Sequence, residues 1–253
     1  MARKTVLVTG MSGLIGSAVR RHLSEKYELS ALNRRSIPGV SCHQADIADL
    51  DAILPAFEGK EAVVHLAAIA RLDAVPDEEI LHHNVIGTYN MFEAARRAGV
   101  KRIVYASSGA TVAGWEREMP YRALVEGRYD AVPESWEKLT HQTPVRPSGI
   151  YGCSKVWGEA LARHYTDTSD LSILCLRIGP INPEDRPLRA RDFSSWCSQR
   201  DVVQMIERCT DAPESLRFDI FYALSNNRWS YRDLEHARQV LGFVPQDAAE
   251  EYR

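Results

Sequence analysis

The sequence has no large charge excess and no long apolar run. Its 31 basic and 34 acidic residues give a formal net charge of −3, so we expect no broad basic surface for nucleic acid or an anionic membrane. No apolar run reaches the ~18–20 residues that a membrane-spanning helix needs. The N-terminal apolar run meets a glycine turn after about five residues, which is not typical of a signal peptide. We therefore expect neither a nucleic acid nor a membrane partner.

Cysteine is scarce and shows no pairing pattern. The five cysteines are odd in number, scattered and without a CxxC pair, which argues against a disulfide framework and a zinc knuckle. There is no HExxH motif and no histidine cluster with metal spacing, so no metal is predicted. We expect His65 in the core and His82, His83 and His141 at the surface. With 253 residues, 45% of them apolar, the chain is predicted to be a cytoplasmic enzyme or ligand-binding domain.

Short apolar runs alternate with longer amphipathic stretches over the first two thirds of the chain. The first run, Thr5–Val8, is apolar without alternation, as expected of a strand buried on both faces. Further strands are predicted near 28–32, 40–42, 61–66, 102–106 and 171–178, and helices over 13–24, 49–57, 77–97 and 149–165. This order predicts an α/β fold of the Rossmann type, a doubly wound parallel sheet with helices on both faces. Ligands would then bind at the carboxyl edge of the strands.

The pattern weakens after residue 178. Helices are predicted over 199–209 and 231–241, with a short strand near 219–224 between them. We divide the chain into a dinucleotide-binding domain of residues 1–180 and a small substrate-side region of residues 181–253, integrated with that domain. Within the first, residues 110–148 are predicted to form a substrate loop or lid.

A glycine-rich turn directly follows the first strand and opens the first helix. In its GxxGxxG spacing, Gly10 allows a sharp turn, Gly13 lets the backbone approach a pyrophosphate, and Gly16 lets the helix pack close to the sheet. Free N–H groups and the helix dipole at this point favour phosphate. The turn therefore predicts a dinucleotide site, with an ordinary tight turn as the alternative.

The end of the second strand bears on the choice of dinucleotide. An acidic residue there would bind the ribose hydroxyls of NAD, whereas arginine suits the 2′-phosphate of NADP. Asn33, Arg34 and Arg35 favour NADP and leave NAD as the alternative, unless both arginines are solvated surface charges. Asp46 and Ile47 are placed to cap an adenine ring, although Asp46 is nearly as well explained as a turn residue.

A tyrosine and a lysine stand four residues apart at the start of a predicted helix, and so on one helical face. Tyr151 is a poor base at neutral pH because a tyrosine pKa is near ~10, and we expect the cationic Lys155 to lower that pKa. Ser107 and Ser108 follow a predicted strand and can place a hydroxyl beside the tyrosine. Strand register favours Ser108, whereas counting back from Val112-Ala-Gly would place Gly109 at that position.

In this order, the motifs resemble the extended short-chain dehydrogenase/reductase, or NAD-dependent epimerase/dehydratase, superfamily. Beside the turn of residues 9–16, the chain has VVHLAA at 63–68, NVIGT at 84–88, YGCSK at 151–155 and RIG at 177–179. Residues 191–198 and 231–246 are similar above all to uronate dehydrogenases and archaeal sugar dehydrogenases. The resemblance implies a catalytic Ser108, Tyr151 and Lys155 that oxidise the C1 hemiacetal of a small sugar, uronic acid or sugar phosphate to a lactone.

The resemblance also implies ligand contacts and a homodimer formed by two long helices across a two-fold axis. Arg191 matches the arginine with which uronate enzymes bind the sugar carboxylate, as a guanidinium fork can, with a solvated basic turn as the alternative. The predicted substrate residues are Ser108, Gly109, Tyr151 and Arg191. The predicted cofactor-binding residues are Gly10, Ser12, Gly13, Leu14, Ile15, Gly16, Asn33, Arg34, Arg35, Asp46, Ile47, Leu66, Ala67, Ala68, Asn84, Ser107, Tyr151, Lys155 and Ile178.

Three positions depart from the uronate pattern. Gly109 and Ala110 stand where those enzymes have a sugar-contacting Asn-His, Pro180 replaces a substrate-contacting serine, and Asn33 replaces the acidic residue that selects NAD. The segment Trp115–Pro147 is also longer, and its aromatic residues either reshape the pocket or only pack the loop. The catalytic residues are therefore carried over from the resemblance, but the identity of the sugar is not.

Two other functions use the same motifs. A nucleotide-sugar epimerase or dehydratase with tightly bound NAD is disfavoured because only 76 residues follow Arg177, which leaves little room for a nucleotide-diphosphate lobe. A non-catalytic NAD(P) sensor is disfavoured because both Tyr151 and Lys155 are present.

Overall fold

A computed structural model describes residues 2–70 and 75–253. One sheet of seven parallel strands has the order β3-β2-β1-β4-β5-β6-β7. The strands are β1 (Thr5–Thr9), β2 (Glu28–Asn33), β3 (Ser41–Gln44), β4 (Ala62–His65), β5 (Arg102–Ser108), β6 (Ser172–Ile178) and β7 (Phe218–Ala223). Strand order reverses between β1 and β4, which creates a switch point where α/β sheets bind ligands. The predicted fold class is confirmed.

Helices occur in all six predicted regions, together with two short helices that the sequence did not predict. They are α1 (Leu14–Leu23), α2 (Leu50–Ile53), α3 (Asp77–Ile80), α4 (Gly87–Arg97), α5 (Tyr121–Glu126), α6 (Gly149–Thr168), α7 (Asp192–Ser195), α8 (Gln199–Thr210) and α9 (Glu235–Leu241). Short 3-10 turns lie at Leu54–Phe57, Gly109–Thr111, Ala113–Arg117, Tyr129–Ala131 and Ala249–Tyr252, and a π-helical segment, Leu81–Ile86, joins α3 to α4. The helix predicted over 77–97 is thus one continuous helical stretch with a π segment inside it.

The helix predicted over 231–241 is wrong at its start. Arg232 forms a parallel bridge with Leu139, the Leu139 N–H donates to the Tyr231 carbonyl at 2.8 Å, and the Asp233 N–H donates to the Leu139 carbonyl at 3.0 Å. These bonds hold residues 231–233 in an extended conformation, so α9 begins only at Glu235. A contact distant in sequence has overridden the local helical pattern.

Two apolar layers cover the sheet. Val8, Val104 and Leu176 pack towards α8 on one face, whereas Leu7 and Ile103 pack towards α4 and α6 on the other. This division follows from the strand geometry, because successive side chains point to opposite faces. Parallel strands buried on both faces explain why the strands could be read as unbroken apolar runs.

A third apolar cluster joins the predicted lid to the C-terminal region. Val112, Tyr121 and Leu139 of the segment 110–148 pack against Tyr222 and Tyr231. Trp115 Nε1 donates to the Pro144 carbonyl at 3.0 Å, and Trp136 Nε1 donates to the Ser230 carbonyl at 3.1 Å. The aromatic residues of this segment therefore pack the loop and hold it against residues 222–231.

All five cysteines are free; three are buried, Cys42 is half-buried and Cys153 is exposed. Over residues 2–70 and 75–253, no helix combines the length and apolar character needed to cross a membrane.

Candidate active site

A long cleft runs along the carboxyl edge of the sheet at the switch point. Two cavities of about 680 and 650 Å³ share Gly10, Gly13, Leu66 and Ala68 and together form this cleft. We call the first the Tyr151 arm, because Tyr151 and Lys155 line it, and the second the Asn33 arm, because Asn33 to Arg35 line it. All predicted cofactor-binding residues except Asn84, and all four predicted substrate residues, line one arm or the other.

The glycine turn forms the junction of the two arms. Gly10 has a φ of +67°, and a Cβ on it would lie 2.9 Å from the Ala67 nitrogen. A Cβ on Gly16 would lie 2.5 Å from Met11 Cα. Both positions therefore need glycine, as the sequence predicted. The first turn of α1 holds no acidic residue that would offset the positive end of the helix dipole, and its last turn holds three basic residues. The positive end of the dipole therefore faces the cleft.

The Asn33 arm offers both acceptors and cations. Asn33 is buried, and within the part of the chain that the structure describes its Oδ1 has no hydrogen-bond partner. Arg34 and Arg35 are exposed at the rim. Burial alone would raise the pKa of Asp46, but the Ala48 N–H, His83 and Arg34 together lower it, so Asp46 is an anionic acceptor in this arm.

The loop after β4 is held from both sides. Thr9 Oγ1 accepts from the Leu66 and Ala67 N–H groups at 3.2 and 3.1 Å. Asn84, on the π-helical segment, accepts from the Ile69 N–H at 2.8 Å and donates to the Ile69 carbonyl at 3.0 Å and to Ser154 Oγ at 3.3 Å. Asn84 thus ties this loop to α6 from behind and does not line the cleft, and its contact with the cofactor stays a prediction. π segments often mark functional sites.

Tyr151 and Lys155 face the Tyr151 arm from the first turns of α6. Lys155 is buried, its Nζ donates to the Ala106 carbonyl at 2.8 Å and lies 5.6 Å from the centre of the Tyr151 ring. Burial lowers the pKa of Lys155 to about 8. Burial also raises the pKa of Tyr151, opposed by the Ser108 hydroxyl, so in the free protein this pKa lies above its ordinary value and not below it as expected.

The two serines, which were predicted to follow the strand, are its last residues and have different surroundings. Ser107 is buried and donates to Glu159 at 2.6 Å, and Arg177 holds the same carboxylate through two bonds of 2.9 and 2.8 Å. Ser108 pairs in register with Ile178 and lines the Tyr151 arm, and its hydroxyl accepts a local bond from the Ala110 N–H at 3.1 Å. The hydroxyl left available beside Tyr151 is therefore that of Ser108.

The far end of the Tyr151 arm carries a charge cluster. Arg191 lines the arm, as expected of a substrate residue, but two hydrogen bonds already join its guanidinium to Glu116. Arg232 and the Tyr231 hydroxyl also contact Glu116. Gly109 lines the arm directly against Arg232.

Residues 6–182 match the sequence model of the NAD dependent epimerase/dehydratase family. This chain belongs to that family. It is 34% identical to the NAD-dependent glucose-6-phosphate dehydrogenase of Haloferax volcanii, over 98% of this chain and 95% of that protein. It is 32% identical to the L-arabinose 1-dehydrogenase (NAD(P)(+)) of the same organism, over 98% and 97%. It superposes on the crystal structure of uronate dehydrogenase from Agrobacterium tumefaciens with a TM-score of 0.84 at 35% identity, covering 100% of this chain and 88% of the other.

For this member of the epimerase/dehydratase family, sequence reasoning missed Glu116, Tyr231 and Arg232. They come from two segments more than 110 residues apart, and although residues 231–246 carry part of the resemblance, nothing in the sequence assigns Tyr231 or Arg232 to the site. The contacts between Glu116 and its partners form only when the chain has folded, so the pattern of apolar and polar residues in the sequence does not reveal them. The departure of Gly109 from the uronate pattern was visible in the sequence, but its contact with Arg232 was not.

A second cluster bears on the prediction that there is no metal. His141, Asp219 and His236 bring possible ligand atoms within 4.8 Å of one another, and His141 is half-buried, not exposed as predicted. The two imidazole rings stack at 3.8 Å with an angle of 18° between their planes. Ring nitrogens bind metals within the plane of the ring, so two nearly parallel rings cannot share one ion without rotating. The absence of a metal stays a prediction.

His83 also departs from its predicted place at the surface. Its side chain is 17% exposed, and Nε2 lies 3.4 Å from Asp46. His82 is exposed and His65 is buried in the core, both as predicted.

Proposed function

We propose that this protein oxidises the C1 hemiacetal of a small sugar to a lactone, with a nicotinamide dinucleotide as hydride acceptor. The observation that carries this proposal is the convergence of Ser108, Tyr151 and Lys155 on one arm of a cleft whose other arm has the features of a dinucleotide site. The relatives named for glucose-6-phosphate, L-arabinose and uronate support sugar oxidation as the class of reaction.

The residues of the cleft fit a dinucleotide. The turn at Gly10 and the start of α1 would hold the diphosphate, and the unpartnered Asn33 Oδ1 would accept from a ribose hydroxyl. Lys155 can hold the hydroxyls of the second ribose. When bound in oxidised form, the nicotinamide would supply the hydride acceptor and a positive charge.

Tyr151 would take the proton of the C1 hydroxyl. Burial raises its pKa in the free protein, so the phenolate needs added positive charge in the arm, part of which the protonated Lys155 supplies. The Ser108 hydroxyl would hydrogen-bond to the reacting oxygen and orient it. Asn84 would act as a positioning residue, because it fixes the loop at Ile69 and α6 relative to each other.

The Tyr151→Phe variant tests this mechanism. Its turnover, followed as absorbance of the reduced nicotinamide, should be abolished, whereas dinucleotide binding measured by calorimetry should be unchanged. Tyr165→Phe is a matched control, since it removes a hydroxyl from the same helix, where Tyr165 donates to Glu93 at 3.1 Å away from the cleft. Turnover retained by Tyr151→Phe would contradict the mechanism.

We propose NADP as the favoured dinucleotide and NAD as the alternative. Arg34 and Arg35 are exposed at the rim of the Asn33 arm, where a 2′-phosphate could pair with them. The double variant Arg34→Ser/Arg35→Ser should weaken NADP binding and leave NAD binding little changed. Arg21→Ser, an exposed arginine of α1, is the control. A preference of the unmodified protein for NAD would show this reading of the arginines to be wrong.

We further propose a cytoplasmic homodimer. The helical stretch 77–97 presents Leu81, Ile86 and Tyr89 with 45%, 46% and 42% of their surface exposed, which is the kind of surface that a partner helix covers. Light scattering after gel filtration should give twice the chain mass, and Ile86→Glu should reduce it to a monomer. A monomeric unmodified protein would contradict this proposal.

A further inference from the structure

The edge of Arg191 that the resemblance assigns to a sugar carboxylate is already occupied. Arg191 Nε donates to Glu116 Oε2 at 2.8 Å, and its Nη2 donates to Glu116 Oε1 at 2.6 Å. This parallel pair of bonds is the arrangement in which arginine binds a carboxylate. Glu116 therefore takes the place in which a substrate carboxylate would bind.

Glu116 is held in its ionised form. Its side chain is 14% exposed, and burial by itself would raise its pKa. The hydrogen bond and charge of Arg191, the charge of Arg232 and the Tyr231 hydroxyl outweigh burial and lower that pKa. A second carboxylate approaching Arg191 would therefore meet a fixed negative charge.

Arg232 fills the space that a side chain at position 109 would take, where the uronate pattern has a sugar-contacting asparagine. A Cβ on Gly109 would lie 2.6 Å from Arg232 Nη1, so the guanidinium fits here because this position has no side chain. Its side chain is fully buried, and among the described residues its Nε and Nη1 have no hydrogen-bond partner. Its Nη2 donates to the Gly109 carbonyl at 3.2 Å and lies 3.4 Å from Glu116. The end of the arm thus holds unpaired donors next to an ionised acceptor.

We propose that Glu116 makes this protein selective for a sugar without an anionic substituent. This inference rests on the proposed sugar oxidation and names its substrate class. A sugar hydroxyl can donate to Glu116, so an uncharged sugar can satisfy this ionised carboxylate. A carboxylate can only accept, and it would lie beside Glu116 or have to displace it, which like-charge repulsion opposes.

The net charge of the cluster does not reverse this argument. Two arginines and one carboxylate leave one positive charge, but that surplus is on Arg232, whose side chain is 0% exposed. The side chain that is 30% exposed is Arg191, and its charge is neutralised through two bonds. Arg189, which also lines the arm, is paired with Asp192 at 3.1 Å.

The test compares sugars that differ only at C6: D-glucose, D-glucuronate and D-glucose 6-phosphate, with their galacto counterparts. We expect kcat/KM of the unmodified protein to be at least about tenfold higher for the aldose than for either anion. Glu116→Gln keeps the shape and removes the charge, so it should lower the aldose-to-uronate ratio by about tenfold, mainly through a lower KM for the uronate.

Glu118→Gln is the matched control. Glu118 lies two positions further along the same loop and is half-exposed, and its partner Arg146, 3.0 Å away, is a surface residue. This variant loses an ion pair of the same type but should leave the ratio unchanged. Should Glu116→Gln fail to fold, Glu116→Asp moves the charge away from Arg191 and should shift the ratio in the same direction by less.

The proposal is overturned if the unmodified protein prefers an anionic sugar, or if the Glu116 variants leave the ratio unchanged. Failure of the proposed function looks different, because no sugar would then reduce the nicotinamide. In that case, calorimetry with the dinucleotide complex decides the selectivity. If the complex binds glucose more tightly than glucuronate and Glu116→Gln reverses this order, the proposed selectivity is supported. Any other order of the two affinities would overturn the proposal.

Discussion

Removing one charged partner of the buried ion pair between Glu159 on α6 and Arg177 on β6 should lower the free energy of unfolding substantially. Its two bonds are 2.9 and 2.8 Å long, and the side chains are 5% and 2% exposed. Glu159→Gln leaves the Arg177 cation buried without a counterion, which costs about 3–5 kcal/mol in comparable buried pairs. We expect urea denaturation to show a loss of this size, which is a large share of the roughly 5–15 kcal/mol of a typical domain.

The double variant Glu159→Leu/Arg177→Met separates the effect of an unpaired buried cation from that of a simple loss of contacts. Replacing both charges with apolar groups removes the unpaired cation, so the double variant should be more stable than Glu159→Gln by about 2 kcal/mol or more. Asp167→Asn is the control, because it breaks an exposed pair with Arg163 on the same helix and should cost at most about 1 kcal/mol. If Glu159→Gln costs no more than Asp167→Asn, the reasoning is refuted.

Two further predictions follow from the site. Burial lowers the pKa of Lys155 to about 8 from its ordinary value near 10.5, so between these pH values the unfolded chain holds a proton that the folded chain has released. The free-energy cost of burying the charged Lys155 should therefore be largest below pH 8 and decline up to pH 10.5. Lys155→Met lacks this cost at every pH, so the difference in free energy of unfolding between this variant and the unmodified protein should narrow with rising pH. A gap that urea denaturation finds independent of pH would contradict this. Gly16→Ala should weaken dinucleotide binding at least about tenfold, since its Cβ would lie 2.5 Å from Met11 Cα and the backbone of the turn would have to shift. Calorimetric affinity equal to that of the unmodified protein would show that the close approach at Gly16 does not shape the site.

The sheet was predictable because its strands have local signals. Central parallel strands are buried on both faces, so β1, β4, β5 and β6 each have an apolar centre without polar alternation, which can be recognised without knowledge of their neighbours. The start of α9 was not predictable, because the bridge between Leu139 and Arg232 joins residues 93 positions apart. Local propensity describes each segment alone, whereas that bridge exists only once the segment 110–148 has packed.

The same distinction applies to the site. The glycine turn and the pair Tyr151 and Lys155 are short-range patterns whose geometry a strand or a helix fixes, so their positions in the cleft could be predicted. The sign of the pKa shift of Tyr151 could not, because it depends on burial by the whole arm. For the same reason, the sequence could not show that Ser107 is held by the buried Glu159, although strand register already favoured Ser108 as the hydroxyl beside Tyr151.

The near-neutral net charge implied that any anion recognition must be local, with Arg34, Arg35 and Arg191 as the candidates. The structure divides them. Arg34 and Arg35 are exposed in the Asn33 arm, where a dinucleotide phosphate would need them, whereas Glu116 neutralises Arg191 in the Tyr151 arm. The cleft therefore has exposed arginines in the Asn33 arm, which we propose to bind the cofactor, whereas Arg191 in the Tyr151 arm, which we propose to bind the sugar, is paired with Glu116. With the selectivity proposed above, a member of this family would keep the arginine that the resemblance assigns to a sugar carboxylate and still bind an uncharged sugar.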